Sequence, residues 1–126
     1  MTDYDVTPPP TRLADRVQLR WAFSTDHGEV TAFVVQLEYW LDGDWTAVVR
    51  YDHNPDLEAG HDVTREGVHR DVYRDGEKVD TQTISGPIPA SEAFNCAQRD
   101  LRENPGTYVR RFEQWHSVSG PDTTDL

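Results

Sequence analysis

Five residues in the middle of the chain carry side chains that together could transfer a proton and hold a phosphate. They are Arg50, Asp52, His69, Asp71 and Tyr73. An imidazole exchanges a proton near neutral pH, a neighbouring carboxylate can orient it, and a guanidinium stabilises phosphate charge. The set predicts a metal-free phosphoryl-transfer site in which His69 is the general acid or base. Asp71 or Asp52 would orient His69, and Arg50 would bind the phosphate.

The alternation of apolar and polar residues predicts that these side chains share one face of a sheet. A strand that buries Val68 and Val72 turns His69 and every second residue after it to the opposite face, because side chains alternate along a strand. On the preceding strand, the residues expected on the buried face are Trp45, Ala47, Val49 and Tyr51. That assignment turns Arg50 and Asp52 outward.

Two other interpretations of this region stay open. His53, His61 and His69 could bind zinc, manganese or iron together with a carboxylate, although no HExxH motif or comparable spacing of paired ligands accompanies them. Alternatively, the aspartates and arginines form the solvated surface of an acidic protein, and the histidines belong to ordinary loops. We predict neither a metal nor a cofactor.

The surrounding sequence predicts an α+β fold: a five-stranded antiparallel meander sheet followed by two C-terminal helices packed on one face. The strands are expected at residues 17–25, 30–41, 45–52, 68–74 and 77–84, and the helices at 91–103 and 107–116. Asp-Gly pairs at 42–43 and 75–76 are typical of tight hairpin turns. We expect a disordered arm over residues 1–12, one domain over 13–117 and a flexible tail over 118–126.

The composition indicates where the protein works. The chain has 23 acidic residues against 12 Lys and Arg, a formal net charge of -11 and one cysteine, Cys96. A strongly negative surface is typical of proteins that stay dissolved in concentrated salt. One cysteine cannot form an internal disulfide, and no apolar run is long enough to cross a membrane. These features predict a cytoplasmic protein of a salt-accumulating microbe with no membrane partner.

Salt should therefore stabilise the protein against heat. At molar ionic strength the Debye length falls to about 3 Å, which screens the repulsion among surface carboxylates. We expect the melting temperature to rise between millimolar and molar KCl at neutral pH, as measured by thermal scans. A melting temperature that does not change with KCl would contradict this interpretation of the charge.

The chain resembles two known families. Residues 50–56 (RYDHNPD), 60–63 (GHDV) and 66–79 (EGVHRDVYRDGEKV), with the helix 110–116 (RRFEQWH), resemble short haloarchaeal proteins of unknown function. The similarity spans roughly residues 17–117. An arginine, an aspartate and following histidines after two strands are also similar to TumE-like toxins of toxin-antitoxin modules, small sheet-plus-helix proteins proposed to act on RNA. That resemblance implies roles for Arg50, Asp52, His53 and His69.

Two functions follow as hypotheses. The first is a toxin-like ribonuclease or nucleotide-acting enzyme that uses the five residues named above, with RNA as its partner. The second is a non-catalytic interaction or regulatory module that binds a small protein or forms a homodimer through a strand edge or an aromatic helix face. The arginines of the helices could contact RNA or pair with neighbouring carboxylates.

Overall fold

The computed structural model describes residues 4–58 and 60–116. These residues form an α+β fold in which an antiparallel sheet precedes two C-terminal helices. The strands are β1 (Thr11–Ala14), β2 (Val17–Asp26), β3 (Glu29–Leu41), β4 (Asp44–His53), β5 (Val68–Arg74) and β6 (Glu77–Ser85). The helices are α1 (Val63–Glu66), α2 (Ala90–Glu103) and α3 (Pro105–Trp115).

The sheet has six strands, paired in chain order from β1 to β6. The predicted antiparallel meander is confirmed, but the predicted number of five strands was wrong. The missed strand is β1, which follows three consecutive prolines and pairs with β2 through an irregularity between Arg12 and Ala14. Four residues are too few to show an alternating pattern, so the sequence gives no strand signal there.

The segment before β1 lies along β2. Val6 and Phe23 exchange two backbone hydrogen bonds of 2.9 Å, and the amide of Asp5 donates to the hydroxyl of Ser24 at 3.1 Å. The predicted tail, residues 118–126, lies outside the described residues, as do residues 1–3 and Ala59. The boundaries expected for the arm and the tail remain predictions.

One face of the sheet packs against α2 and α3 and forms the hydrophobic core. Phe33 lies 5.2 Å from Phe94 of α2, and Tyr39 lies 5.3 Å from Phe112 of α3, between ring centroids. Other fully buried side chains of this core are Leu19, Val35, Leu37, Ala93, Ala97, Leu101 and Val109. Apolar residues recur at helical spacing in both helices, so each buries one face against the sheet. Both predicted helices are confirmed.

The opposite face of the sheet, here called the outer face, is polar. It is defined by a row of residues that are paired across neighbouring strands: Arg20, Gln36, Arg50 and Asp71. Arg50 Nε donates to Gln36 Oε1 at 2.7 Å, and Gln36 Nε2 donates to Glu38 Oε2 at the same distance. The predicted convergence of polar side chains on one sheet face therefore exists, and these side chains bond to one another.

A bulge in β4 changes which side chains reach the outer face near the β3–β4 turn. Leu37 pairs with Val49 but Glu38 pairs with Ala47, which leaves a buried Val48 as the extra residue. Trp45 consequently lies beside Trp40, with ring centroids 5.3 Å apart. Its predicted place on the buried face was wrong, because one extra residue reverses every assignment beyond it.

A polar network ties β5 to the two long helices on the core face. It consists of Tyr51, Arg70, Asp100 and Tyr108, and we call it the Arg70–Asp100 network. Arg70 Nη1 donates to Tyr108 Oη at 2.7 Å and to Asp100 Oδ2 at 3.2 Å. Asp100 Oδ2 also accepts a hydrogen bond of 2.6 Å from each tyrosine hydroxyl. Sequence reasoning assigned no role to Arg70, which lies between Val68 and Val72 on the buried face.

This network sets the protonation of Asp100. Burial alone would raise the pKa of Asp100, but hydrogen bonds from Tyr108 and Tyr51 and the charge of Arg70 outweigh burial and lower it. Burial and the hydrogen bond to Asp100 raise the pKa of both tyrosines. The network is therefore an ionised carboxylate held by a guanidinium and two neutral hydroxyls.

Among the residues that the structure describes, no helix has the length and apolar character required to cross a membrane.

Candidate functional site

A cavity of about 340 Å³ opens on the outer face where β4 and β5 separate. Three of the five predicted site residues line it: Asp52, His69 and Asp71. The remaining lining residues come from the segment after β4, from α1 and from β6; they are Asn54, Leu57, Glu58, Gly60, His61, Glu66, Lys78 and Thr81. Carboxylates, imidazoles and one ammonium group thus face a single space.

The cavity exists because β4 and β5 are aligned over a short distance. Their aligned pairs within the described strands are Val49 with Val72 and Arg50 with Asp71. Asp52 lies two residues after Arg50 in β4, and His69 lies two residues before Asp71 in β5. Because side chains alternate along a strand, all four point to the same face of the sheet. At this point the chain leaves β4 and makes an irregular excursion before returning in β5.

The short helix α1 builds the wall opposite β4. Asp62 Oδ1 accepts a hydrogen bond of 2.9 Å from the amide of Thr64, and the amide of Asp62 donates to Glu66 Oε2 at 2.8 Å. These bonds satisfy amides that a helix start leaves free. Gly67 follows with a φ of 84° and leads into β5. A side chain at Gly67 would overlap the carbonyl of Ser85, so glycine is required there.

Asp52 and Asp71 have different surroundings although they share the cavity. Asp71 accepts a hydrogen bond of 3.0 Å from Thr81 Oγ1 and lies 3.6 Å from the Lys78 ammonium. Burial and the nearby charge of Asp71 raise the pKa of Asp52, against the opposing charges of Arg50, His61 and Lys78. Asp52 is therefore more ready to carry a proton than an ordinary aspartate.

Two histidines stack at the edge of the cavity. The ring centroids of His61 and His69 are 4.4 Å apart. His61 Nε2 donates to the carbonyl of Gly67 at 2.7 Å, and its Nδ1 lies 3.5 Å from Glu66 Oε2. Both ring nitrogens of His61 have neighbours, whereas His69 makes no hydrogen bond to another described residue. Of the two imidazoles, that of His61 is thus the one held in place by neighbouring described residues.

Arg50 and Tyr73 lie beside the cavity on the outer face. The guanidinium carbon of Arg50 lies 5.0 Å from the centroid of the Tyr73 ring, a cation–π contact. Its Nε is used in the bond to Gln36. The structure therefore brings all five predicted residues onto one face, with three lining the cavity and two forming the adjoining surface.

His53 belongs to the core and not to the site. It is 3% exposed, and its Nδ1 accepts a hydrogen bond of 3.1 Å from the amide of Val63. Burial lowers the pKa of His53, so the ring is neutral. His53 therefore does not join His61 and His69 in lining the cavity. No group of three residues suited to hold a metal ion is found within 4–58 and 60–116.

Sequence reasoning gave no role to several residues at or near the cavity, among them Lys78, Thr81 and Tyr4. Lys78 and Thr81 reach it from β6, where Thr81 pairs with Asp71 and Lys78 pairs with Tyr73. The Asp75-Gly76 turn predicts this pairing, so the signal was available. Tyr4 donates its hydroxyl to Asn54 Oδ1 at 2.9 Å, and burial followed by the charge of Asp52 raises its pKa. Nothing in a proline-rich N-terminal segment indicates that contact.

Comparison with known proteins places the chain in a family without assigning it an activity. No curated protein and no solved structure matches it. The model of one protein family, described as a domain of unknown function (DUF7718), matches residues 1–118. Since that match covers nearly the whole sequence, the chain belongs to the DUF7718 family.

Proposed function

We propose that the cavity between β4 and β5 cleaves RNA by metal-free acid–base catalysis. The observation that carries this proposal is that Asp52, whose pKa is raised, lines the same cavity as His69, whose ring makes no hydrogen bond to the residues that the structure describes. A carboxylic acid and an imidazole in one site supply the proton donor and the proton acceptor that phosphodiester cleavage requires. No cofactor is needed for this chemistry.

The reaction would use the ribose hydroxyl as its nucleophile. His69 removes the proton from the 2′-hydroxyl, and the 2′-oxygen forms a bond to the adjacent phosphorus. The bond from phosphorus to the 5′-oxygen of the next nucleotide breaks, and Asp52 donates its proton to that leaving oxygen. The products are a 2′,3′-cyclic phosphate and a 5′-hydroxyl, so atoms and charges balance.

The cavity also contains a group suited to the phosphate. Lys78 lines it and lies 3.6 Å from Asp71, and its side chain is half exposed. The charge of Lys78 offsets that of Asp71 and leaves ammonium protons for a non-bridging oxygen. Arg50, predicted as the phosphate ligand, lies next to the cavity and adds positive charge to its border.

The proposal is tested by incubating the purified protein with end-labelled single-stranded RNA in molar KCl and EDTA. We expect fragments that end in a cyclic phosphate, because neither a metal nor water is needed in the first step. Cys96→Ser should cleave equally well, since Cys96 lies on α2, away from the cavity. RNA that stays intact, both in EDTA and with added divalent cations, would contradict the proposal.

A toxin-like role follows from the same activity. Cleavage of cellular RNA would arrest growth, which agrees with the resemblance of this region to TumE-like toxins. Expression of the wild-type chain, but not of a variant that lacks His69, should then slow the growth of a host. An antitoxin partner would be a small protein that covers the cavity.

One observation favours the alternative of a non-catalytic module. β6 is the last strand of the sheet, and it exposes Val79 and Ile84 at its edge. An edge strand with exposed apolar residues can pair with another chain. A protein that leaves RNA intact and forms a dimer that is lost on replacing Val79 with lysine would support this alternative.

A further inference from the structure

The outer face carries an aromatic pair, the exposed Trp40 and its neighbour Trp45, at the end remote from the cavity. Arginines lie between this pair and the cavity. We propose that single-stranded RNA binds along this face, with one base stacked on Trp40 and the scissile phosphate in the cavity. This inference rests on the function proposed above and extends it from a cleavage site to an extended binding surface.

Trp40 has the surroundings of a base-stacking platform. Trp40 is 41% exposed, and its ring makes a T-shaped contact with the ring of Trp45 at an interplanar angle of 68°. Two cavities, of about 210 and 380 Å³, lie against Trp40. Each is bordered by one arginine and one aspartate, Arg12 with Asp15 and Arg16 with Asp42. Flat aromatic surfaces flanked by open space are where unpaired bases stack.

Arginines lie on the outer face close to the aromatic pair. The guanidinium of Arg12 lies 5.1 Å from the centroid of Trp45, and the side chain of Arg20 is 47% exposed. Between them, Glu38 is 6% exposed and accepts hydrogen bonds from Gln18, Gln36 and Arg20. The carboxylate in the middle of this face is thus buried and hydrogen-bonded, whereas Arg12 and Arg20 are exposed and suit a phosphate backbone.

The distance along the strands fits a short stretch of nucleotides. Val34 pairs with Asp52 at the cavity, and Trp40 lies six residues farther along β3. At about 3.3 Å per residue this separation is about 20 Å. A single strand that places a phosphate in the cavity therefore reaches Trp40 a few nucleotides away, and its backbone passes Arg20 and Arg50.

The test measures binding without cleavage. A fluorescent twelve-nucleotide RNA with 2′-O-methyl groups has no free nucleophile, and its dissociation constant can be measured by anisotropy in KCl. We expect Trp40→Ala to weaken this binding about tenfold, the size of one lost base stack, and Trp40→Phe to weaken it less. Arg20→Ala should reduce the slope of affinity against salt by about one ion.

Matched controls separate this surface from other parts of the protein. Ile84→Ala removes a comparably exposed apolar side chain from β6, and Arg99→Ala removes an arginine from α2 on the opposite face; both should leave the affinity unchanged. A dinucleotide, which fills the cavity alone, should bind equally well to wild type and Trp40→Ala. A duplex of the same sequence should bind more weakly, because its bases cannot stack on tryptophan.

The outcomes distinguish the two proposals. If Trp40→Ala binds the twelve-nucleotide RNA as tightly as wild type, or if the duplex binds equally well, the extended surface is overturned even if RNA is cleaved. If the RNA binds with the expected dependence on Trp40 but unmodified RNA is never cut, the binding surface stands and the catalytic proposal fails.

Discussion

Replacing Asp100 with alanine is expected to lower the free energy of unfolding by about 3 kcal/mol. The substitution leaves the guanidinium of Arg70, which is 18% exposed, without its carboxylate partner. It also removes the acceptor of the hydroxyl protons of Tyr51 and Tyr108. Urea unfolding at a fixed KCl concentration measures the difference. Glu103→Ala, an exposed change on the same helix, should alter stability by no more than about 0.5 kcal/mol.

The contribution of Asp100 to the free energy of unfolding should depend on pH in a defined direction. Because the fold lowers the pKa of Asp100, its stabilising contribution is complete above the pKa of an unfolded aspartate and is lost as pH falls through the lower folded value. The difference between wild type and Asp100→Ala should therefore be constant near neutral pH and shrink in acid. A difference of less than about 1 kcal/mol at pH 7 would show that the network contributes little.

Replacing either proposed catalytic group should abolish RNA cleavage with little effect on folding. His69→Ala and Asp52→Asn each remove one of the two groups that transfer protons, and such groups typically contribute a factor of 10² to 10⁴. Rates of cleavage of labelled RNA measure the loss. His69 makes no hydrogen bond to the described residues, so we expect its replacement to change stability by less than about 1 kcal/mol.

Asp52→Asn adds a test that separates catalysis from structure. The fold raises the pKa of Asp52, so its ionised form is less favourable in the folded state, and its contribution to stability falls as pH rises through the folded pKa. At neutral pH the neutral amide should leave the melting temperature unchanged or raise it. An inactive but equally stable variant supports a catalytic role. A variant of either residue that unfolds several degrees earlier would indicate a structural role instead.

Much of the fold can be predicted from local patterns. The long β3 strand shows alternation over many residues, and Asp-Gly turns with positive φ at Asp42 and Asp75 join β3 to β4 and β5 to β6. These signals are properties of a few consecutive residues, which is why the strands and both long helices were found. The site residues His69 and Asp71 follow from the same rule, because Val68 and Val72 fix the face of β5.

The features that were missed depend on contacts between distant parts of the chain. The bulge at Val48 is a shift in the pairing register of β3 and β4, and no local sequence pattern predicts it. Trp45 was therefore assigned to the wrong face. The four residues of α1 owe their helical form to the side chains of Asp62 and Glu66. Arg70 is buried because Asp100 and Tyr108 of the helices meet it there, which the sequence of β5 alone does not reveal.

The short alignment between β4 and β5 has a mechanical consequence. The short alignment divides the sheet into a first block, β1 to β4, and a second block, β5 and β6. Asp52 lies on the first block, and His69 and Asp71 lie on the second. On the far side of the sheet, Tyr51 of the first block and Arg70 of the second are clamped together through Asp100. The helix α2, on the opposite side of the sheet from the cavity, therefore helps to hold the spacing between the proposed acid and base. A force or a partner that displaces α2 would change that spacing, so the reactive geometry can be adjusted without any contact in the cavity.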